Sequence, residues 1–238
     1  MTWKRPENID FPQVWWTFEA KDPDTRQMVK YRVQDLPEDR YDEALMLMAT
    51  LFIRDETMCK SLDLINDTTF EGDNIWENIL KQKITVVCFK EGSDEICGLN
   101  LLEVLERDSK QPEEKLPSKK IRDLVKTMEF IKAKADPYNR YGVDKYLHAM
   151  GLLVVPKYRG LGLSTEILKA REPLGKAVGL KLSGTVFTGT ASQGCAKKAG
   201  FVEDYSVLYE DLAKGEPFVE FPNVSSPYVK FMSLKFKD

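Results

Sequence analysis

The stretch from Tyr146 to Val155 constrains the fold more than any other part of the chain. It is a near-continuous apolar run, the pattern of a strand buried on both faces. Pro156 stops it, Lys157 to Gly162 form a turn, and Leu163, Ile167, Leu168, Leu174 and Val178 then recur at helical spacing, with a kink expected at Pro173. A strand covered on both sides requires a sheet with helices on both faces. Gly160 and Gly162 stand where this strand becomes a helix. Glycines there let the backbone approach a ligand closely, and a helix N-terminus offers unpaired N–H groups to an anion, so a pyrophosphate fits. The competing reading, a tight turn and nothing more, is not separated from this by glycine spacing alone. Other phosphate loops are disfavoured. There is no G-x-x-x-x-G-K-[ST], and Thr165 stands where a dinucleotide fingerprint needs its third glycine.

The rest of the chain alternates in type. Val14 to Phe18 and Met28 to Val33 are aromatic or β-branched runs around Lys21-Asp22-Pro23-Asp24, a hairpin pattern. After Pro37, Tyr41, Leu45, Met48, Leu51 and Phe52 mark a helix that ends near Arg54-Asp55-Glu56. A short helix is expected over Ile75 to Leu80. Strands over Ile84 to Phe89 and Glu95 to Leu105 flank the turn Glu91-Gly92-Ser93-Asp94. Asp108 to Ser118, rich in charge and proline, is a surface excursion, and Lys119 to Ala135 is helical up to Asp136-Pro137. Leu182 to Phe187 is a strand and Ser192 to Ala199 a short helix closed by Gly200. Strands around Tyr205 to Tyr209 and Val229 to Phe236 complete a mixed α+β sheet.

Composition excludes several function classes. The chain has 238 residues, enough for one full core, and no repeat or low-complexity block, so a single domain over residues 1–238 is expected. Its 35 basic and 38 acidic residues are interspersed, which argues against a nucleic-acid partner. Cys59, Cys88, Cys97 and Cys195 form no CxxC pair and there is one histidine, so no metal site is expected. The start MTWKRPENID lacks an apolar h-region and no window is apolar enough to cross a bilayer, which makes a cytoplasmic protein without membrane contact the expectation. Trp15, Trp16, Phe18, Tyr138 and Tyr141 are read as packing residues rather than as an amine pocket.

Arg159-Gly160-Leu161-Gly162-Leu163-Ser164 resembles the R/Q-x-x-G-x-G/A motif of the GNAT acetyltransferases, with Ser164 in place of the final Gly or Ala. Lys198-Ala199-Gly200-Phe201 resembles the Gly-Phe at which that family ends a helix. The chain also resembles one branch, the insect arylalkylamine N-acetyltransferases, at Phe18-Glu19-Ala20-Lys21-Asp22-Pro23, Tyr31-Arg32-Val33-Gln34-Asp35-Leu36 and Phe52-Ile53-Arg54-Asp55-Glu56. That branch commonly has Pro after the Asp-Glu pair, where this chain has Thr57.

The resemblance implies an α+β, three-layer GNAT fold with a splayed strand pair in a mixed central sheet. It implies acetyl-CoA as co-substrate, no metal, and a small-molecule amine as partner, with the protein acting as a monomer. Strand contacts to the cofactor would come from Leu152, Leu153 and Val154, and diphosphate amides from Gly160, Leu161, Gly162, Leu163, Ser164 and Thr165. Arg159 would reach a phosphate or pack over the turn.

Acetyl transfer to an amine requires positioning of the thioester, removal of a proton from the ammonium, and stabilisation of an oxyanion, here by an N–H near Leu153 or Val154. Glu56 matches the branch's catalytic glutamate and is the first candidate base. His148 matches one of two histidines that vertebrate arylalkylamine N-acetyltransferases carry on this strand, with Met150 at the other position; a satisfied strand histidine is the preferred reading and a proton shuttle the other. Ser192 is an N-cap or helps organise the thioester or amine. Ala196 occupies the place where many GNAT enzymes carry a tyrosine acid. The expected activity is acetylation of an arylalkylamine. Agmatine, polyamine or longer acyl-CoA chemistry, and a catalytically idle CoA-binding module, are the alternatives.

Overall fold

The structure is a computed structural model and describes residues 3–67, 73–108, 116 and 118–237, with the side chains of 73–75 set aside. Most of the expected excursion over Asp108 to Ser118 lies outside the described residues.

Strands β1 (Val14–Lys21) and β2 (Met28–Asp35) form the expected hairpin. Its turn is fixed by the Asp22 carboxylate, which accepts from the N–H groups of Asp24 and Thr25. Helix α1 (Tyr41–Leu47) widens into a π-helical turn at Met48–Phe52 and continues as α2 (Ile53–Asp55). Glu56 is extended, at ψ 138°, and separates α2 from α3 (Thr57–Ser61). Then come α4 (Asp73–Leu80), β3 (Val86–Lys90), β4 (Ile96–Glu106), α5 (Lys119–Ala135), α6 (Pro137–Tyr141) and β5 (Lys145–Val154). The chain closes with α7 (Leu163–Lys169), α8 (Arg171–Ala177), β6 (Leu182–Phe187), α9 (Thr190–Lys198), β7 (Val202–Leu208), α10 (Tyr209–Lys214) and β8 (Tyr228–Lys235).

One sheet runs in the order β1-β2-β3-β4-β5-β6-β8-β7, antiparallel everywhere except between β5 and β6. Side chains alternate across it, as the pleat dictates. Val86 and Cys88 enter a core shared with Leu163, Ile167 and Leu174 of α7 and α8, while Val87 and Phe89 pack with Ala44, Met48 and Ile53 on the opposite face. Trp15 and Trp16 are packing residues with satisfied indoles, bonded to Asp35 and Glu166 respectively.

Several local expectations are corrected. The helix after the glycine turn does not kink at Pro173; it breaks a turn earlier, at Ala170, because Pro173 has no N–H to give to the carbonyl of Lys169. The Asp136-Pro137 pair ends α5 and also starts α6, with Asp136 as N-cap and Pro137 at the first helical position. The helix expected from Ser192 begins two residues earlier, at Thr190. The segment read as strand through Tyr209 leaves β7 at Leu208 and becomes α10, whose Leu212 is buried.

Candidate active site

The site grows from the divergence of β5 and β6. These parallel strands register only at Leu147 and Ser183. Two side chains continue the contact for one more step: Ser183 Oγ donates to the Leu147 carbonyl at 3.1 Å, and Thr185 Oγ1 accepts from Ala149 N–H at 2.9 Å while donating to its carbonyl at 3.2 Å. A bulge against β4 follows, with Leu101 opposite Gly151 and Leu102 opposite Ala149, so Met150 is the extra residue. A bulge bends and twists its strand, and this one stands where β5 leaves β6. Gly151 is needed beside it, because a Cβ there would sit 2.7 Å from Met48 Cε and 2.9 Å from the Phe52 ring. The π-helical turn therefore rests directly on the strand.

Beyond the bulge, Val155 N–H donates to the Cys97 carbonyl at 2.9 Å. Backbone groups alternate in direction along an antiparallel ladder, so Leu152 and Val154 direct theirs toward the gap vacated by β6. Leu153, expected among the cofactor contacts and as an oxyanion donor, instead turns its amide to its β4 partner Leu99.

The turn after β5 holds Gly160 at φ +76° and Gly162 at φ +89°, the left-handed region that L side chains avoid. No neighbour lies within 4 Å of a Cβ built at either, so conformation and access rather than packing require glycine. Among the described residues the N–H groups of Gly160, Leu161, Gly162, Leu163 and Ser164 have no acceptor, while the Thr165 N–H, also expected to be free, is spent on the Gly162 carbonyl at 3.1 Å. The Leu163 side chain is buried in the core, and Ser164 Oγ lies 3.1 Å from Cys195 Sγ, joining α7 to α9.

Arg159 is committed to protein partners. Its Nε donates to the Val154 carbonyl at 2.9 Å and its Nη2 to Asp55 Oδ2 at 2.7 Å. Arg54 and Arg159 together hold the Asp55 carboxyl well below the usual range. The next residue, Glu56, is half-buried and caps α3: its Oε2 accepts from Cys59 N–H at 2.7 Å, and its Oε1 accepts from the Thr188 hydroxyl just beyond β6. The Thr188 carbonyl in turn accepts from Tyr209 Oη at 2.8 Å. Thr57 packs against Gly189, where a Cβ would collide with its hydroxyl. Asp55 and Glu56 thus span the mouth of the opened strand pair, tied to the end of β5 through Arg159 and to the end of β6 through Thr188.

The other two candidates lie elsewhere. His148 is buried on the closed part of β5, with Nδ1 3.0 Å from the Gly184 carbonyl, and burial lowers its pKa to about 3. Such a histidine is neutral, and its ring is edge-on to Tyr146. Ser192 is exposed and is not the N-cap; Gly189 is. Its hydroxyl turns back on Gly189, donating to the carbonyl at 2.8 Å. Ala196 is fully buried among Leu168, Phe187, Phe201 and Met232 and offers no proton. Sequence reasoning missed Thr188, Gly189 and Tyr209, which only the β6 to α9 connection brings to Glu56. Among the described residues no group of three or more His, Cys, Asp or Glu side chains could hold a metal, and no helix is long and apolar enough to cross a membrane.

Comparison with solved structures identifies the family. A protein assigned as insect arylalkylamine N-acetyltransferase 7 of the yellow fever mosquito Aedes aegypti superposes with a TM-score of 0.94 and 45% identity, covering 98% of this chain and 99% of that one. This chain belongs to the insect arylalkylamine N-acetyltransferases, within the GNAT acetyltransferases. The fold recurs in arylalkylamine N-acetyltransferase 2 of Aedes aegypti, at TM-score 0.75 and 20% identity over 87% of this chain and 99% of that one. It recurs again in the Drosophila melanogaster polyamine N-acetyltransferase that forms N-acetylagmatine, at TM-score 0.73 and 16% identity over 87% of this chain and all of that one. No family model and no curated protein sequence matches the chain. In this N-acetyltransferase family member, the splayed strands and glycine turn form the middle of the fold, as the GNAT motif led us to expect.

Proposed function

We propose that the protein transfers the acetyl group of acetyl-CoA to the amino group of an arylalkylamine, of the dopamine, tyramine, octopamine or serotonin class. The observation that carries this reading is the opened β5–β6 pair, which ends in a turn of unpaired N–H groups and has Glu56 fastened across its mouth. The donors from Gly160 to Ser164 suit a diphosphate, and the backbone groups of Leu152 and Val154 suit the amide groups of pantetheine. Thr188 and the Cys59 amide orient the Glu56 carboxylate, which retains lone pairs for a proton from the incoming ammonium, directly or through a water. The freed amine attacks the thioester carbonyl, the oxyanion meets a β5 strand amide at Leu152 or Val154, and the C–S bond breaks to release CoA. With Ala196 buried, the thiolate takes its proton from the amine or from water. His148 serves as a packed strand residue, and Ser192 fixes the start of α9. The four free cysteines suit a reducing cytoplasm, where the chain acts as a monomer.

Thiol release from acetyl-CoA, measured over a panel of arylalkylamines, agmatine and polyamines and repeated with longer acyl-CoAs, tests the reading. Highest kcat/KM on an arylalkylamine with acetyl-CoA is the expected result. Preference for agmatine or a polyamine reassigns the acceptor, preference for a longer acyl-CoA reassigns the donor, and CoA binding without turnover on any pair leaves only a CoA-binding module.

A further inference from the structure

A buried cation without a carboxylate partner lies under the divergence of β5 and β6. Arg171, the first residue of α8, is 1% exposed, and none of the ion pairs among the described residues includes it. Burial alone lowers its pKa, to about 9. Its Nε donates to Asn100 Oδ1 on β4 at 2.8 Å, and its Nη1 lies 3.4 Å from Ser183 Oγ on β6. Each acceptor passes the contact on to β5. Asn100 Nδ2 donates to the Gly151 carbonyl at 2.7 Å, and Ser183 Oγ donates to the Leu147 carbonyl at 3.1 Å. The guanidinium also faces the Phe201 ring at 5.6 Å.

Two features separate this arrangement from ordinary core packing. An unpaired charge is costly to bury, and an apolar side chain of similar volume usually serves stability as well or better. The two chains of hydrogen bonds also end on either side of the Met150 bulge, one on the last residue paired with β6 and the other on the first residue beyond the bulge. We propose that Arg171 is a positioning residue of acyl transfer: it ties β4 to β6 beneath β5, fixes the β5 backbone at Gly151, and holds a positive charge under the place where the thioester carbonyl becomes an oxyanion. This rests on the acyltransferase reading above. It supplies what the site otherwise lacks, since Ala196 leaves no acid to offset the negative charge of the oxyanion and the departing thiolate.

Among the titratable groups, His148 on β5 feels this charge, and it stays neutral throughout the pH range of the test. Wild type, R171M and R171K are compared by thiol release between pH 6 and about pH 8, below the range in which Arg171 itself loses its charge, by calorimetric titration with acetyl-CoA, and by thermal melting. R171M is expected to melt at or above the wild-type temperature while kcat falls about tenfold or more and the KM for the amine stays unchanged. R171K is expected to recover part of kcat near neutral pH and to lose it as pH rises, because a buried lysine deprotonates early. A purely structural guanidinium produces no pH-dependent rescue. An active wild type matched in kcat by R171M overturns the positioning role, as does an R171K profile parallel to wild type; if R171M does not fold, the R171K profile decides. Wild-type protein that releases no thiol with any amine overturns the reading of function, and the role of Arg171 with it.

Discussion

The Thr188 hydroxyl donates its proton to Oε1 of Glu56, joining the end of β6 to the residue that interrupts the helix between α2 and α3. The bond holds the carboxylate at the mouth of the opened strands. Thr188→Val removes this donor while keeping the β-branched shape, and a hydrogen bond to a charged group is worth about 1.5–3 kcal/mol. We expect kcat to fall about tenfold to a hundredfold and the melting temperature to fall by a few degrees, with acetyl-CoA affinity nearly unchanged and both restored in Thr188→Ser. Steady-state kinetics on the three proteins measure this, and wild-type kcat in Thr188→Val would show that the bond only steadies the carboxylate that caps α3.

If Glu56 takes the ammonium proton, Glu56→Gln should lower turnover by about 10² to 10⁴-fold while acetyl-CoA binds as before. The amide can still accept from Cys59 N–H, so the cap on α3 survives and loss of fold does not confuse the result. Full activity in Glu56→Gln removes Glu56 from the mechanism.

How much of this was legible in the sequence follows the range of the interactions. The apolar run into Pro156 and the two glycines announced a covered strand, a turn and a helix, because each rests on neighbours in the chain. The β5–β6 divergence was legible only through the motif that goes with it; nothing in Leu147 or Ser183 says that they alone pair. Glu56 was found by resemblance, but its partners Thr188 and Tyr209 come from segments far along the chain, and no local pattern links them. Arg171 carries no sequence sign of its burial, which depends on what β4 and β6 place above it. Pro173 misled about position, because the bond it lacks belongs to the preceding turn.

The glycine turn makes its own prediction. Ala at position 162 must take up φ near +89°, at a cost of about 1–2 kcal/mol, so Gly162→Ala should lower the melting temperature slightly. Gly160→Val and Gly162→Val carry the same strain with a branched Cβ over the free N–H groups, and should abolish acetyl-CoA binding in a protein that remains folded. Calorimetric titration decides: wild-type affinity in both valine variants would sink the assignment of this turn to the diphosphate.

His148 separates stability from catalysis. Its folded-state pKa, lowered to about 3 by burial, lies below the ordinary value of about 6.5, so below pH 6.5 the unfolded chain binds a proton that the folded one refuses. The neutral ring therefore contributes fully above pH 6.5, and that contribution is lost as pH falls toward 3, by up to a few kcal/mol. His148→Gln should melt at a lower temperature at pH 8, because the bond to the Gly184 carbonyl and the contact with Tyr146 are disturbed. Its melting temperature should then fall less steeply than that of wild type between pH 6.5 and about pH 4, where the histidine difference accumulates. Melts of both proteins across that range isolate the term, since the carboxylates titrate alike in each. The pH–rate profile of the folded variant should keep its shape near neutrality. A shifted profile with an unchanged slope of stability against pH would move His148 from the packing of β5 to the proton path.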